Sequence, residues 1–92
     1  MGLNESRVSS VSGMFIRLCV GQSIERNIKF RDGTRSHFKA RITKLNRGDA
    51  EYEVTEWIEY TCNDARPTHG GLCTVPSVLS MALMSGRLKL LD

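Results

Sequence analysis

The side chains with the most suggestive chemistry are the lysines and arginines of residues 23–49. This stretch holds eight of the thirteen basic residues in the chain, within a pattern that alternates apolar and polar side chains. Arginine binds phosphate through a planar fork of donors, and flat or amide side chains nearby can stack on a base or contact its edge. The residue types therefore favour an anionic partner, and RNA is the first candidate.

Eight residues share this basic, aromatic or amide chemistry and form the candidate site. We expect phosphate contacts from Arg31, Arg35 and Lys39 with support from Lys29 and Arg41, and base or protein contacts from Asn27, His37 and Trp57. One exposed tryptophan does not make the aromatic platform on which free single-stranded RNA stacks. Contact with RNA that is already ordered within a protein complex fits better, while a solvated, salt-screened surface is the competing interpretation.

Catalysis and metal binding have little support. Cys62, His69 and Cys73 could ligate a metal, but structural zinc normally takes four ligands in closely spaced pairs, and no Cys-x-x-Cys motif is present. A Cys/His nucleophilic pair would lack a third orienting group. Cys19 lies in the apolar run MFIRLCV and suits a core position. We expect three free thiols, no cofactor and no enzymatic activity.

The basic side chains must be positioned by strands, because the pattern repeats every two residues. Two turn signals, RDGT and NRGDA, separate three such runs. The side chains expected to face the core are Ile24, Ile28 and Phe30, then Phe38, Ala40 and Ile42, then Tyr52, Val54, Ile58 and Tyr60. Those expected to face solvent include most of the candidate site and, on the third run, Trp57.

The strand pairing was predicted by matching apolar residues. Ile28 against Phe38 places Lys29 beside His37 and Arg31 beside Arg35, so that like charges meet. Phe38 against Ile58 and Ile42 against Val54 place Lys39 opposite Trp57 and Arg41 diagonal to Glu53. Residues 48–64 carry six acids and no lysine or arginine, so part of the basic charge is neutralised. On the apolar face, Arg26 is expected to pair with Glu56, because an unpaired charge there would be costly.

The flanking segments complete an α+β prediction for one domain, residues 1–92. Val8, Val11, Phe15 and Leu18 fit one face of an N-terminal helix with Gly21 as its C-cap, although FIRLCV also suits a strand. Residues 62–74 are rich in turn formers and predict a long loop. A helix is expected from Pro76 to Gly86 with Thr74 as its cap, followed by a short strand with Leu88 and Leu90 inward. The expected fold is an antiparallel β-meander of three to four strands with one or two helices packed on one face.

Two further features bear on location. No apolar run approaches the roughly 18 residues of a membrane span, and the N-terminal MGLNESRVSS lacks the parts of a signal peptide. These features favour the cytosol.

Across its 92 residues, and in the run GMFIRLCVGQSIERNIKFRDGTRSHFKARITKLNRGDAEYEV, the chain resembles small phage-encoded anti-CRISPR proteins that act on the type I-F surveillance complex. The resemblance implies a non-enzymatic inhibitor in the host bacterial cytoplasm that docks on a crRNA-guided Cas complex and prevents target DNA binding. Many proteins of that group mimic DNA with acidic surfaces, whereas this chain is basic. We therefore expect this chain to contact the crRNA rather than to mimic DNA. The resemblance assigns no function to any individual residue.

Two other classes of function remain open. A free-standing RNA- or DNA-binding regulator of phage or bacterial origin would use the same basic face on naked nucleic acid. A small metal-dependent or thiol enzyme would instead use the loop cysteines.

Overall fold

A computed structural model of the chain contains a five-stranded antiparallel sheet, a separate two-stranded hairpin and one helix. It describes residues 6–11 and 14–91, with side chains from Arg17 onward. The elements are β1 (Ser6–Val11), β2 (Met14–Cys19), β3 (Ser23–Lys29), β4 (Arg35–Leu45), β5 (Asp49–Tyr60), β6 (His69–Cys73), α1 (Pro76–Met84) and β7 (Leu88–Leu91). The order in the larger sheet is β6-β5-β4-β3-β7, and β1 pairs with β2. The fold is broadly α+β, with more strands than expected.

The core lies on one face of the larger sheet. Phe38, Ala40 and Ile42 of β4 are at most 2% exposed, as the alternation predicted. Leu79 from α1 and Leu18 from β2 belong to the same apolar cluster. The opposite face of the sheet, called here the outer face, carries the charged side chains of β3 and β4.

The N-terminal helix prediction is wrong, because this segment forms β1 and β2. Serine and β-branched residues are frequent in SRVSSV, and both types weaken a helix relative to a paired strand. Gly21, with a φ of 92°, lies in the turn that leads into β3 and does not cap a helix. The side chains of Val8, Val11 and Phe15 lie outside the described residues, and Leu18 is buried as expected.

The hairpin of β3 and β4 has the predicted faces but a different register. Ile28 lies opposite Ser36, and Lys29 lies opposite Arg35. Each of these partners is two residues before the predicted one along β4. The Phe30 N–H donates to the Thr34 carbonyl at 2.9 Å, so the loop contains three residues and ends at Gly33, whose φ is 91°. Three-residue hairpin loops favour glycine at this left-handed position, which explains the shift.

Strand β5 departs from strict alternation, which makes the predicted β4–β5 register wrong. Phe38 lies opposite Trp57 and Ala40 opposite Val54, so Thr55 is an extra residue on β5. Ile58 is a second extra residue, because His37 lies opposite Glu59 while Phe38 lies opposite Trp57. A bulge of this kind reverses which side chains face the core. Trp57 consequently packs against the core, while Ile58, predicted to be inward, is 46% exposed.

The same register changes move three other predicted contacts. Ile42 lies opposite Tyr52 rather than Val54. Lys39 lies opposite Glu56 rather than Trp57, and Arg41 lies directly opposite Glu53. The basic strand is therefore matched more closely by acids than the predicted register allowed.

The C-terminal third contains the predicted helix and an additional strand. Helix α1 begins at Pro76 as expected, but no side chain caps it, and Thr74 is buried instead. Leu88 is 1% exposed and Leu90 is half-buried, as predicted for β7. Part of the predicted loop forms β6, in which Gly70 lies beneath Tyr52, and a Cβ atom there would lie 2.5 Å from the tyrosine hydroxyl.

Candidate functional site

The sheet brings most of the predicted site residues together on the outer face. These residues, from adjacent strands β3 and β4, are Asn27, Lys29, Arg35, His37, Lys39 and Arg41. Arg31 lies in the turn between the two strands and is exposed. Trp57 is the exception, because the β5 bulge places it on the core side.

The centre of the outer face is a row of alternating charges. Lys89, Glu25, Lys39 and Glu56 lie on neighbouring strands β7, β3, β4 and β5 as successive cross-strand partners. The Lys39 Nζ atom lies 4.0 Å from Glu56 Oε1. Each base in this row has an acid beside it, so the middle of the sheet offers little unmatched positive charge.

Glu25 also contacts the only histidine on this face of β3 and β4. His37 Nε2 lies 2.7 Å from Glu25 Oε2, and both side chains are only about a fifth exposed, at 19% and 20%. This hydrogen bond holds the pKa of Glu25 below its ordinary value, and the nearby lysines Lys89 and Lys39 act in the same direction. His37 is therefore engaged within the sheet and is not a free stacking group.

Arg35 stands at the margin of this network. Its Nη2 donates to Asn27 Oδ1 at 3.4 Å, and its Nε lies 3.8 Å from Glu59 Oε1, too far for a hydrogen bond. The Nε atom is shielded from solvent and has no hydrogen-bond partner. Because the contact between Arg35 and the Glu59 carboxylate is weak, this guanidinium can also bind a second anion.

The turn end of the β3–β4 hairpin is the most strongly basic part of the face. We call Lys29, Phe30, Arg31 and Arg35 the hairpin tip. Lys29 lies directly opposite Arg35, and within the described residues neither Lys29 nor Arg31 forms an ion pair. Like charges in this position repel, so an anion bound between them would relieve an existing cost.

Phe30 within the hairpin tip and Asp32 beside it modify the chemistry of this surface. Phe30 is 45% exposed because β3 ends at Lys29, whereas the alternation placed it in the core. Phe30 directly precedes the RDGT turn signal, and this position could have identified it as an exposed residue at the end of the strand. The Asp32 carboxylate accepts hydrogen bonds from the Thr34 hydroxyl at 2.6 Å and the Thr34 N–H at 2.9 Å, which lower the pKa of Asp32. This acid is therefore satisfied within the turn.

The loop of residues 61–68 packs beside the hairpin tip. The Arg35 N–H donates to Thr61 Oγ1 at 2.7 Å, and the Thr61 N–H donates to the Arg35 carbonyl at 3.0 Å. The Tyr60 hydroxyl donates to Asp64 Oδ1, and this hydrogen bond raises the pKa of Tyr60 to about 12. A groove between the turn and this loop is lined by Asp32 and Asp64, so anions are favoured on the Lys29 and Arg35 side instead.

Trp57 does not serve the outer face. Its ring lies 4.9 Å from that of Phe38 and 4.9 Å from that of Tyr60, in tilted and edge-on contacts. Aromatic pairs at this distance stabilise a core and fix ring orientation. The outer face therefore lacks the indole that the sequence pattern assigned to it.

The predicted pair of Arg26 and Glu56 is also wrong. Arg26 does lie on the core side, but its Nη1 donates to the Tyr52 hydroxyl and the Gly71 carbonyl, each at 3.3 Å. Glu56 lies on the outer face beside Lys39. The bulge at Thr55 separates the two residues by reversing the side of the sheet on which Glu56 lies.

The three cysteines are free thiols. Cys62 Sγ lies 3.9 Å from the Arg35 carbonyl, and His69 Nδ1 lies 2.9 Å from Thr68 Oγ1. Within residues 6–11 and 14–91, no three histidine, cysteine or acidic side chains cluster in a way that could hold a metal ion. The absence of a metal site and of catalysis stays a prediction.

Among the described residues, no helix has the length and apolar character needed to cross a membrane. Comparisons of the chain with protein-family models, with curated proteins and with solved structures give no match. Any assignment of function therefore rests on the residues themselves and on the resemblance described above.

Proposed function

We propose that this chain is a non-enzymatic inhibitor that binds a crRNA-guided surveillance complex of type I-F and blocks its binding of target DNA. In this proposal, the hairpin tip contacts crRNA phosphates and the rest of the outer face contacts Cas protein. The observation that carries it is the placement of Lys29 directly opposite Arg35, beside an exposed Arg31. The type of complex comes from the sequence resemblance.

The hairpin tip is preferred over the centre of the face because of where acids lie. Lys39 and His37 are within 4.0 Å of a carboxylate, and Arg41 has Glu53 as its cross-strand partner. A phosphate at these positions would have to compete with an existing acid. At the hairpin tip only Arg35 has an acid nearby, Glu59 at 3.8 Å, and among the described residues neither Lys29 nor Arg31 forms an ion pair. A phosphate there would add charge-assisted hydrogen bonds and remove the repulsion between Lys29 and Arg35.

Ordered RNA within a protein complex fits this surface better than a free strand. Sequence-tolerant binding of single-stranded RNA depends on aromatic side chains that stack successive bases. Near the basic residues only Phe30 is an exposed aromatic group in the described part of the chain, since Trp57 packs inward. One ring can hold one base, so most of the recognition is assigned to phosphate and protein contacts.

The test is to reverse the charge of the hairpin tip and measure binding to the purified type I-F complex. Arg31→Glu combined with Arg35→Glu removes two phosphate contacts, each worth about 1.5–3 kcal/mol, and adds repulsion. We expect the affinity to fall by well over tenfold with the circular dichroism spectrum unchanged. Binding of target DNA by the complex, which the native protein should block, should then be restored.

A matched control reverses two arginines outside the outer-face site. Arg17 and Arg66 are both exposed, so Arg17→Glu with Arg66→Glu changes the net charge equally. This control should bind within about threefold of the native protein. If the Arg31/Arg35 variant binds as tightly as the control, the hairpin tip is not the interface. If naked RNA binds as tightly as the complex, the chain is a free nucleic-acid-binding regulator.

A further inference from the structure

A second cavity lies on the opposite side of the sheet from the outer face. It is about 150 Å³ in volume and lies where α1 meets strands β3 and β6. Its apolar lining comes from Ile28, Leu72, Val78 and Ala82. The same cavity is flanked by two arginines and one cysteine, Arg26, Arg87 and Cys73.

Arg26 carries a positive charge that this side of the sheet does not neutralise. Its two described hydrogen bonds, from Nη1, go to neutral oxygens, the Tyr52 hydroxyl and the Gly71 carbonyl. Its Nε is buried and has no hydrogen-bond partner. Its guanidinium carbon lies 5.9 Å above the Tyr52 ring, which offers a weak cation–π contact. A buried donor left unpaired on a cationic group is costly, so a ligand that accepts from it would be stabilising.

Arg87 supplies a second guanidinium at the rim of the cavity. Its Nε donates to Ser85 Oγ at 2.9 Å, and the residue is exposed. No carboxylate in the described part of the chain forms an ion pair with Arg26 or Arg87. Two uncompensated guanidinium groups over an apolar floor match an acid with an apolar body, because carboxylate accepts two hydrogen bonds from one arginine fork.

We propose that this cavity binds a carboxylate carried on a compact apolar group, with the acid held by Arg26 and Arg87. Cavities of about 150 Å³ accommodate a benzene-sized group, and this volume limits the apolar part of the ligand. The source is either a small organic acid or the terminal carboxylate of a peptide that ends in an apolar residue. This site is separate from the hairpin tip and does not depend on the function proposed for it.

Benzoate is the probe, and its neutral amide, benzamide, is the control. Both fill the apolar floor, but only benzoate carries the charge, so benzoate should bind at about millimolar concentration and at least tenfold more tightly than benzamide. Binding is measured by chemical-shift titration. Alkylation of Cys73, resolved from that of Cys62 by peptide mapping, should slow as benzoate occupies the cavity, because only Cys73 lines it.

Variants separate recognition by the arginines from general attraction of an anion. Arg87→Gln should weaken benzoate at least tenfold, whereas Arg66→Gln, which removes an exposed loop arginine, should leave the affinity within about twofold. Arg87 is exposed, so this test does not depend on a core substitution. Equal binding of benzoate and benzamide, or an unchanged affinity in Arg87→Gln, would overturn the proposal.

Peptides distinguish the two sources of the acid. A short peptide ending in a free leucine carboxylate is compared with the same peptide amidated at its C-terminus. If the free acid binds at least tenfold more tightly than benzoate and the amide does not bind, the cavity takes a partner protein's C-terminus. If peptide and benzoate bind equally, it takes a small acid. If neither acid binds at concentrations up to about 50 mM, a limit far above the millimolar value expected for so small a ligand, no such site exists.

Discussion

Glu25 is the acid that connects the basic residues at the centre of the outer face. It lies between Lys89 and Lys39 across the strands and receives a hydrogen bond from His37. Exposed ion pairs contribute little to stability, but a carboxylate with several partners contributes more than an isolated pair. The row that Glu25 completes explains how these cations can lie close together on one face.

The lowered pKa of Glu25 predicts a pH-dependent contribution to stability. Because the folded pKa lies below the ordinary value of 4.5, the ionised carboxylate stabilises the fold above that pH, and this contribution is lost as the pH falls through the folded pKa. Glu25→Gln should lower the free energy of unfolding at pH 7 by up to about 1 kcal/mol. At a pH below the folded pKa of Glu25, the variant and the native protein should be equally stable, as measured by urea denaturation.

Glu53→Gln is the control for this experiment. Glu53 is exposed, and its side chain forms no hydrogen bond or ion pair among the described residues. Its substitution should therefore lower the free energy of unfolding at pH 7 less than Glu25→Gln does. A loss in Glu25→Gln that persists unchanged as the pH falls below the folded pKa of Glu25 would mean that the glutamate stabilises the sheet by packing rather than by charge.

At the scale of elements, the sequence predicted strands well where alternation is uninterrupted. Strand β4 has the expected core and outer sides, and the inward residues of β7 are also correct. Alternation alone cannot locate a bulge, because one extra residue leaves the local pattern intact and changes only the pairing. The predicted positions of Trp57, Ile58 and Glu56 were wrong because β5 has two such extra residues, Thr55 and Ile58.

Strand β6 was missed for a different physical reason. Its sequence, HGGLC, contains two glycines, which normally indicate a turn. In the fold, Gly70 is needed so that Tyr52 can lie over the strand, a tertiary requirement that no local pattern expresses. The cavity next to Arg26 depends on this strand, so that site could not be predicted either.

The irregular register of β5 predicts losses of stability of different size for two adjacent residues. Trp57→Ala removes a ring that packs on Phe38 and Tyr60, so it should cost about 1.5–3 kcal/mol, less than a fully buried tryptophan. Ile58→Ala removes a side chain that is 46% exposed and should cost less than about 1 kcal/mol. Thermal or denaturant unfolding measures both values. The reverse ranking would show that β5 alternates without a bulge.

For the whole molecule, the net charge of +3 conceals an uneven distribution. Acids from β3 and β5 neutralise the centre of the outer face, whereas at the hairpin tip only Arg35 has an acid nearby, Glu59. The sequence predicted the β3–β4 hairpin, but its predicted register distributed the proposed binding role over the entire face. The paired strands concentrate that role at one end, and this difference determines how binding should respond to salt.

The salt dependence of binding depends on the number of phosphates that the protein neutralises. If Lys29, Arg31 and Arg35 each contact one phosphate of a single-stranded RNA, the logarithm of the association constant should fall with the logarithm of salt concentration with a slope of about −2. Replacing Lys29 and Arg31 by glutamine should reduce the slope to about −0.7, because one contact remains. Lys39→Gln should leave the slope near −2, since Glu56 already lies beside that lysine.

Binding of the purified surveillance complex between about 50 and 300 mM salt provides the measurement. A slope that falls equally in the Lys39 variant would assign the phosphate contacts to the whole outer face rather than to the hairpin tip.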